Sequence, residues 1–472
     1  MLAGLSQQSK GALGLFLSTI TGLVQTVNSC WTEAMPATGN WLVARRLMMT
    51  ILFKLMWLVF TTVQRIFWQL NGTAKKQREA QLSHNYRRSA HVLDVVMAHK
   101  LCALGMRSTK LRDFLCTHNR FEDPQYIIDN DNITLLIISE NYAVFCEPED
   151  KGMHLWRASY GSFLRPTQMK FCRRLIVVPL TTFHRLADDI GDPDGEIIFL
   201  FNTGRCGSTL LVHIMEHTGR CVSISEPGSL NTVAVKYRKF GDSPEVRQHA
   251  RDVIRWECRP YPTLQPPTLG YFLKLYPPNA VALPFFRDLF PSSRCLFMYR
   301  DVESVAKSLY RLSLVLPSAH LGFVFGKFFS RVVKMLHDFM GFNYNGFGFR
   351  MENNLMAGVL LCIMATSKYL ETRRRGFDIQ AVRYEDLVAH PLEMCRVILE
   401  YCHLPKSLAE LAVKAFDVDS QRNSPIAKSI IGRFKEPEMT PQIKDQLNAL
   451  LSKHGMPLIG MPGIIEGTLM CG

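Results

Sequence analysis

The stretch that decides the fold is EIIFLFNTGRCGSTLLVHIMEHTG, residues 196–219. Its first six residues, EIIFLF (196–201), form a short apolar run that follows the turn Pro193-Asp194-Gly195. Such a run predicts a strand buried on both faces, as strands of a parallel sheet are. Residues 202–209, Asn-Thr-Gly-Arg-Cys-Gly-Ser-Thr, break the run with glycines and small polar residues. LLVHIMEHTG (210–219) then spaces its apolar residues as a helix does and stops at Gly219. In a strand, glycine-containing loop and helix, backbone N–H groups at the helix start converge on an anion, helped by the helix dipole. Ser208 and Thr209 add hydroxyl donors, and Arg205 adds a permanent positive fork. Thr203, Gly204, Arg205, Cys206, Gly207, Ser208 and Thr209 are therefore the candidate phosphate loop.

The loop is not a Walker A sequence. That pattern requires Lys before the final Ser/Thr, and Gly207 stands in that place, which disfavours a magnesium-dependent nucleoside triphosphatase. Farther along, RCLFMYRDVESVAKSLYRL (294–312) reads as a strand ending at Arg300 and a helix starting near Asp301. Arg300 and Ser308 are eight positions apart (308 − 300), about two helical turns. A third segment, Arg383-Tyr384-Glu385-Asp386-Leu387, follows in the same half of the chain.

These three segments, in this order, resemble the motifs of the PAPS-dependent P-loop sulfotransferases (PAPS is 3′-phosphoadenosine 5′-phosphosulfate). The Arg-x-Gly-Ser-Thr form of the loop is similar to that of carbohydrate sulfotransferases. The resemblance covers roughly residues 194–435, about half the chain. It implies an α/β, P-loop-containing three-layer fold with a central, mainly parallel sheet. It also implies PAPS as sulfuryl donor, no metal, and a hydroxyl or amine of a glycan or glycolipid as acceptor. By the same resemblance the loop holds the 5′-phosphosulfate, Arg205 stabilises the leaving 5′-phosphate oxygen, and Arg300 and Ser308 hold the 3′-phosphate. Glu226, in Ser225-Glu226-Pro227, occupies the general-base position of carbohydrate sulfotransferases. Lys274, in Lys274-Leu275-Tyr276-Pro277, matches a Lys-Thr-His segment of the cytosolic branch, with Tyr in place of His. Glu385 and Asp386 are expected to support the fold, and Asp419-Ser420-Gln421 with Asn423-Ser424 to approach the nucleotide. Two other classes compete: a P-loop kinase-like phosphotransferase, and a non-catalytic membrane-associated nucleotide-binding scaffold.

Other features narrow the field. A chain with 47% hydrophobic and 20% charged residues can build a packed core and is not globally disordered. A net charge of +14 points to anionic partners, and no basic run interleaved with aromatics argues for nucleic acid. Thirteen cysteines without a CxxC pair or Cys/His ligand spacing argue against zinc. His213 and His217 lack the carboxylate motif of a metal pair and read as core or surface histidines. Acceptor contacts are expected in 227–290 and in 313–355, the latter rich in Phe, Lys and Arg.

Toward the N-terminus, residues 1–90 read as a membrane-attachment segment and basic linker, with apolar stretches at 11–28 and 47–64. The second is interrupted only by Lys54, with Arg45 and Arg46 before it and Arg65, Phe67 and Trp68 behind. Eighteen residues suffice to span, so a transmembrane helix is expected, with an interfacial or a buried helix as alternatives. The expected location is a Golgi or endoplasmic reticulum membrane. Basic residues after the run favour a cytosolic domain, whereas sequons at Asn71 and Asn132 favour a luminal one, and the side stays open. Residues 91–193 read as an α+β extension and 194–472 as the catalytic domain. Across the linker and the extension, 75–125 reads as helical, 133–148 as a hairpin, and 166–190 as helix, strand and helix.

Overall fold

The computed structural model describes residues 39–82, 85–99, 109–315, 355–422, 424 and 426–471. The apolar stretch 11–28, the aromatic segment around Phe323–Phe349 and Asn423 lie outside the described residues.

Two helices, α1 (Gly39–Leu70) and α2 (Thr73–Leu82), lead into strands β1 (Ala90–Ala98) and β2 (Phe114–Glu122). Among the described residues of 75–125, the expected α-helix is realised in α2, and the chain from Ala90 to Ala98 is a strand instead. Val92, Val95 and Val96 crowd a helical turn but suit a pleated strand. Pairing with β2 and with a later strand fixes β1 in a sheet. The hairpin forms as expected from β3 (Thr134–Ile138) and β4 (Tyr142–Pro148). Helix α3 (Leu164–Phe171), strand β5 (Cys172–Pro179) and helix α4 (Leu180–Ile190) follow, as the pattern of 166–190 predicts. The first sheet is antiparallel, in the order β2-β1-β5-β4-β3.

The second sheet begins with β6 (Glu196–Asn202), which feeds α5 (Ser208–His217). There follow β7 (Cys221–Ser225), α6 (Gly228–Phe240), α7 (Pro244–Glu257), β8 (Gly270–Lys274) and α8 (Leu283–Leu289). The chain continues through β9 (Arg294–Tyr299), α9 (Val302–Val315), α10 (Met356–Arg374), β10 (Gln380–Arg383), α11 (Tyr384–Ala389) and α12 (Pro391–Tyr401). All pairings here are parallel, in the order β10-β9-β6-β8-β7.

Side-chain alternation explains why this sheet carries helices on both faces. Phe199 and Phe201 of β6 enter one core with Phe286 of α8 and Tyr369 of α10. Ile198 and Leu200 enter another with Leu211 and Met215 of α5 and Ile398 of α12. Helix, sheet and helix thus form three layers, and the first core continues into the antiparallel sheet through Leu135, Phe145 and Ile176. The chain leaves β6 toward β7 and β8 on one side and later returns to β9 and β10 on the other. The carboxyl end of β6 is therefore a topological switch point, where open α/β sheets leave a crevice.

Candidate active site

The loop after β6 is held by one buried amide. Asn202 Oδ1 accepts from the Gly204 N–H at 2.9 Å and from the Ser208 hydroxyl at 3.4 Å. Its Nδ2 donates to the Leu275 carbonyl at 2.9 Å, tying the loop to the end of β8. Gly204, Arg205 and Gly207 all take left-handed backbone conformations, at φ 74°, 54° and 85°. A Cβ on Gly207 would lie 2.4 Å from the Tyr384 ring, so no larger residue fits there. For Arg205 the conformation costs on the order of 1 kcal/mol. Its side chain holds it there: Nε donates to Ser308 Oγ at 2.9 Å, and Nη1 to Gln421 Oε1 at 3.2 Å.

Both partners of Arg205 are neutral. Burial first, then the neighbouring charges of Arg300 and Arg311, bring its guanidinium down to about 10. Arg300 lies over the Tyr384 ring at 4.5 Å, and the Nε atoms of Arg300 and Arg311 are buried without a hydrogen-bond partner. Arg311 reaches Glu436 at 3.6 Å. Among the described residues no carboxylate comes within ion-pair distance of Arg205 or Arg300. Cations gathered this way repel one another, and a polyanion relieves the repulsion.

A few residues away the second centre is built the opposite way. Lys274 ends β8 and is 2% exposed. Its Nζ pairs with Glu226 Oε1 at 2.9 Å, donates to Thr209 Oγ1 at 3.1 Å and to Ser225 Oγ at 3.5 Å, and sits 4.7 Å from the Phe163 ring centre. Glu226 is itself left-handed, at φ 55°, and its N–H donates to the Lys274 carbonyl at 2.9 Å. Backbone and side chain therefore clamp the same two residues together. Glu226 faces a cavity of about 700 Å³ shared with Tyr276, Asn231 and Lys236. The opposite wall comes from the β3–β4 hairpin, Phe163 and Arg165, so the antiparallel sheet completes the site. Burial, then the charge of Glu226, pushes the Tyr276 phenol up to about 12, making it a donor rather than a base.

The candidate residues read from the sequence thus fall into two groups. Arg205, Arg300 and Ser308 gather on one side of the loop, and Thr209, Glu226 and Lys274 on the other. Thr203 and Gly204 spend their amides internally, on the Met298 carbonyl and on Asn202. Burial raises the Cys206 thiol, leaving it a packed side chain. Burial lowers His213 to about 4, and His217 Nδ1 donates to the His213 carbonyl at 2.8 Å. Among the described residues no cluster of His, Cys, Asp and Glu is suited to a metal. Glu385 accepts from the Asp301 N–H at 3.0 Å, and Arg383 pairs with Asp386 at 3.3 Å, which makes this segment a brace for α9. Asn202, Phe163 and Tyr384 complete the surroundings of the loop beyond the residues that the sequence points to. Only Asn202, a small polar residue closing an apolar strand, carried a local signal.

No protein-family model matches the chain, and no curated protein matches it either. Among solved structures, a sulfotransferase from Mycobacterium avium is 13% identical, with a TM-score of 0.37 over 59% of this chain and 83% of its own. The sulfotransferase domain from the Curacin biosynthetic pathway is 15% identical, with a TM-score of 0.32 over 57% of this chain and 100% of its own. The sulfotransferase domain from the Synechococcus PCC 7002 olefin synthase is 17% identical, with a TM-score of 0.32 over 55% and 96%.

Proposed function

We propose that the chain is a sulfotransferase that moves a sulfuryl group from PAPS to a hydroxyl or amine of a glycan or glycolipid. The observation that carries this reading is the Arg205 centre: a guanidinium that, among the described residues, is bonded only to neutral Ser308 and Gln421 and is pressed by Arg300 and Arg311. A ligand with separated anionic groups matches that chemistry, and the orphaned Nε of Arg300 is a donor for one of them. Arg205, Arg300 and Ser308 then hold phosphate, with the P-loop residues 205–209 beside them. The donor supplies an activated sulfuryl group on its 5′-phosphate. Glu226, oriented by Lys274, takes the acceptor proton, and Arg205 and Lys274 meet the charge left on the phosphate oxygen. Positioning and electrostatics carry the work, as in phosphoryl transfer.

The cavity wall supports an acceptor with both apolar and anionic parts: Ile137, Phe163 and Val235 stand with Lys110, Lys236 and Lys239. In the same reading residues 194–472 are catalytic, 91–193 close the acceptor side, and 1–90 hold the enzyme at a Golgi or endoplasmic reticulum membrane. Among the described residues one helix, Ile51–Leu70, is long and apolar enough to cross a bilayer, and the attachment rests on it.

Calorimetric titration of the full chain with adenosine 3′,5′-bisphosphate, and separately with ATP and Mg²⁺, tests the proposal. Binding of the bisphosphate alone is expected. Preference for ATP would replace the reading with a kinase, and binding of neither by folded protein would leave a scaffold.

A further inference from the structure

The Ile51–Leu70 part of helix α1 is long and apolar enough for a membrane span, yet one of its faces is committed to the antiparallel sheet. Trp57 Nε1 donates to the Arg112 carbonyl at 3.0 Å, and Trp68 Nε1 to the Cys116 carbonyl at 3.2 Å. Gln64 Oε1 accepts from the Cys116 N–H at 2.7 Å. Phe53, Trp57 and Phe60 pack on Leu115, Val96 and Met97. Strand β2 is the edge of its sheet, and these side chains satisfy outward backbone groups that would otherwise be a pairing hazard.

The bonded stretch is long. From Phe53 to Trp68 is fifteen residues (68 − 53), about 22 Å of helix, most of a hydrocarbon core that is about 30 Å thick. A helix joined over that length to a sheet carrying Asp94, Arg120 and Glu122 cannot stand across the bilayer alone. The polar sheet would have to enter with it, at several kcal/mol for each unsatisfied group.

The opposite face is apolar and exposed. Ile51, Leu55, Leu58, Val59, Val63 and Ile66 recur at helical spacing and meet solvent. Exposed Lys54 and Arg65, eleven residues apart (65 − 54) and so about three turns, lie along one border of the stripe. Lys75, Lys76, Arg78, Arg87 and Arg88 follow, all exposed. Between residues 51 and 88 seven basic residues face one acid, Glu79. That is the composition of a helix lying in an interface, with its apolar stripe in the acyl boundary and its cations at the headgroups.

We infer that α1 lies flat on an anionic bilayer and does not cross it. The inference is independent of the sulfuryl-transfer reading. It also brings the lipid surface close to the acceptor cavity, since Lys110 on the cavity wall stands two residues before Arg112, the Trp57 partner (112 − 110).

The test uses the full chain on vesicles of phosphatidylcholine and phosphatidylserine, in roughly a seven-to-three ratio. Spin labels at Ile51→Cys, Leu55→Cys, Val59→Cys and Ile66→Cys, corrected for labelling of the native thiols, report depth in the bilayer. A flat helix gives one shallow depth at all four sites, about 5–10 Å below the headgroups. A depth that climbs and falls along the helix by about 1.5 Å per residue would overturn the inference. Lys54→Glu and Arg65→Glu are each expected to weaken binding to these vesicles about fivefold, with little effect on pure phosphatidylcholine. Equal loss on both lipids, or self-association without vesicle binding, would also overturn it, the latter by placing a second copy on the stripe.

Discussion

The two cationic centres flanking the loop are built on opposite plans. Arg205 is given neutral partners and cationic neighbours, whereas Lys274 is given a carboxylate, two hydroxyls and an aromatic face. A charge left uncompensated costs the fold stability and is useful only if something anionic arrives. A compensated charge is part of the frame, and its value lies in aiming its partner. Under the proposed function the first plan suits a binding centre and the second a positioning centre, and variants at each should fail in different ways.

The largest structural effect is expected at Lys274. Lys274→Met leaves the Glu226 carboxylate without its cation and Thr209 without its donor, and should cost about 3 kcal/mol in denaturant unfolding. A loss near zero would mean that Lys274 is not part of the frame.

The cavity side should also respond to pH. Burial raises the Glu257 carboxyl to about 7 from 4.5, while the Ser229 hydroxyl at the start of α6 donates to it at 2.5 Å. The folded state therefore binds more protons than the unfolded state between those values. Its stabilising contribution is full below about 4.5 and is lost as pH rises through about 7. The loss amounts to roughly 3 kcal/mol at most. Glu257→Gln should remove it, seen as a flatter difference between unfolding curves at low and neutral pH. An unchanged slope would remove Glu257 from the account.

Gly207→Ala tests the loop itself. The added methyl meets Tyr384 and the backbone is left-handed, so a loss of about 2 kcal/mol is expected. Tyr384→Ala in the same chain should restore only the part due to the clash, and full restoration would show that the conformation is not strained.

The sequence carried the local half of this architecture. Strand, loop and helix over 196–219, and the strand and helix bearing Arg300 and Ser308, are readable because their signals lie within a few residues of one another. The meeting of Arg205 with Ser308 and with Gln421, 103 and 216 positions away, leaves no periodic trace. Nor does the placement of Phe163 beneath Lys274, or of the β3–β4 hairpin across the cavity. Strand β1, where the sequence predicts a helix, differs for a related reason. Val92, Val95 and Val96 fit helical spacing as well as a pleat, and only its two partner strands decide between them. Helix α1 shows the same limit: its hydropathy permits a span, while Trp57, Gln64 and Trp68 bind it to a sheet that composition does not reveal.

The most direct test of the division of labour is calorimetric binding of adenosine 3′,5′-bisphosphate to Arg205→Met and Glu226→Gln side by side. Arg205→Met should weaken binding about a hundredfold while leaving the fold at least as stable, because an uncompensated buried charge has been removed. Glu226→Gln should bind within about twofold of the parent, its defect confined to transfer. Equal affinity in both variants, or a larger loss in Glu226→Gln, would contradict the assignment of the two centres.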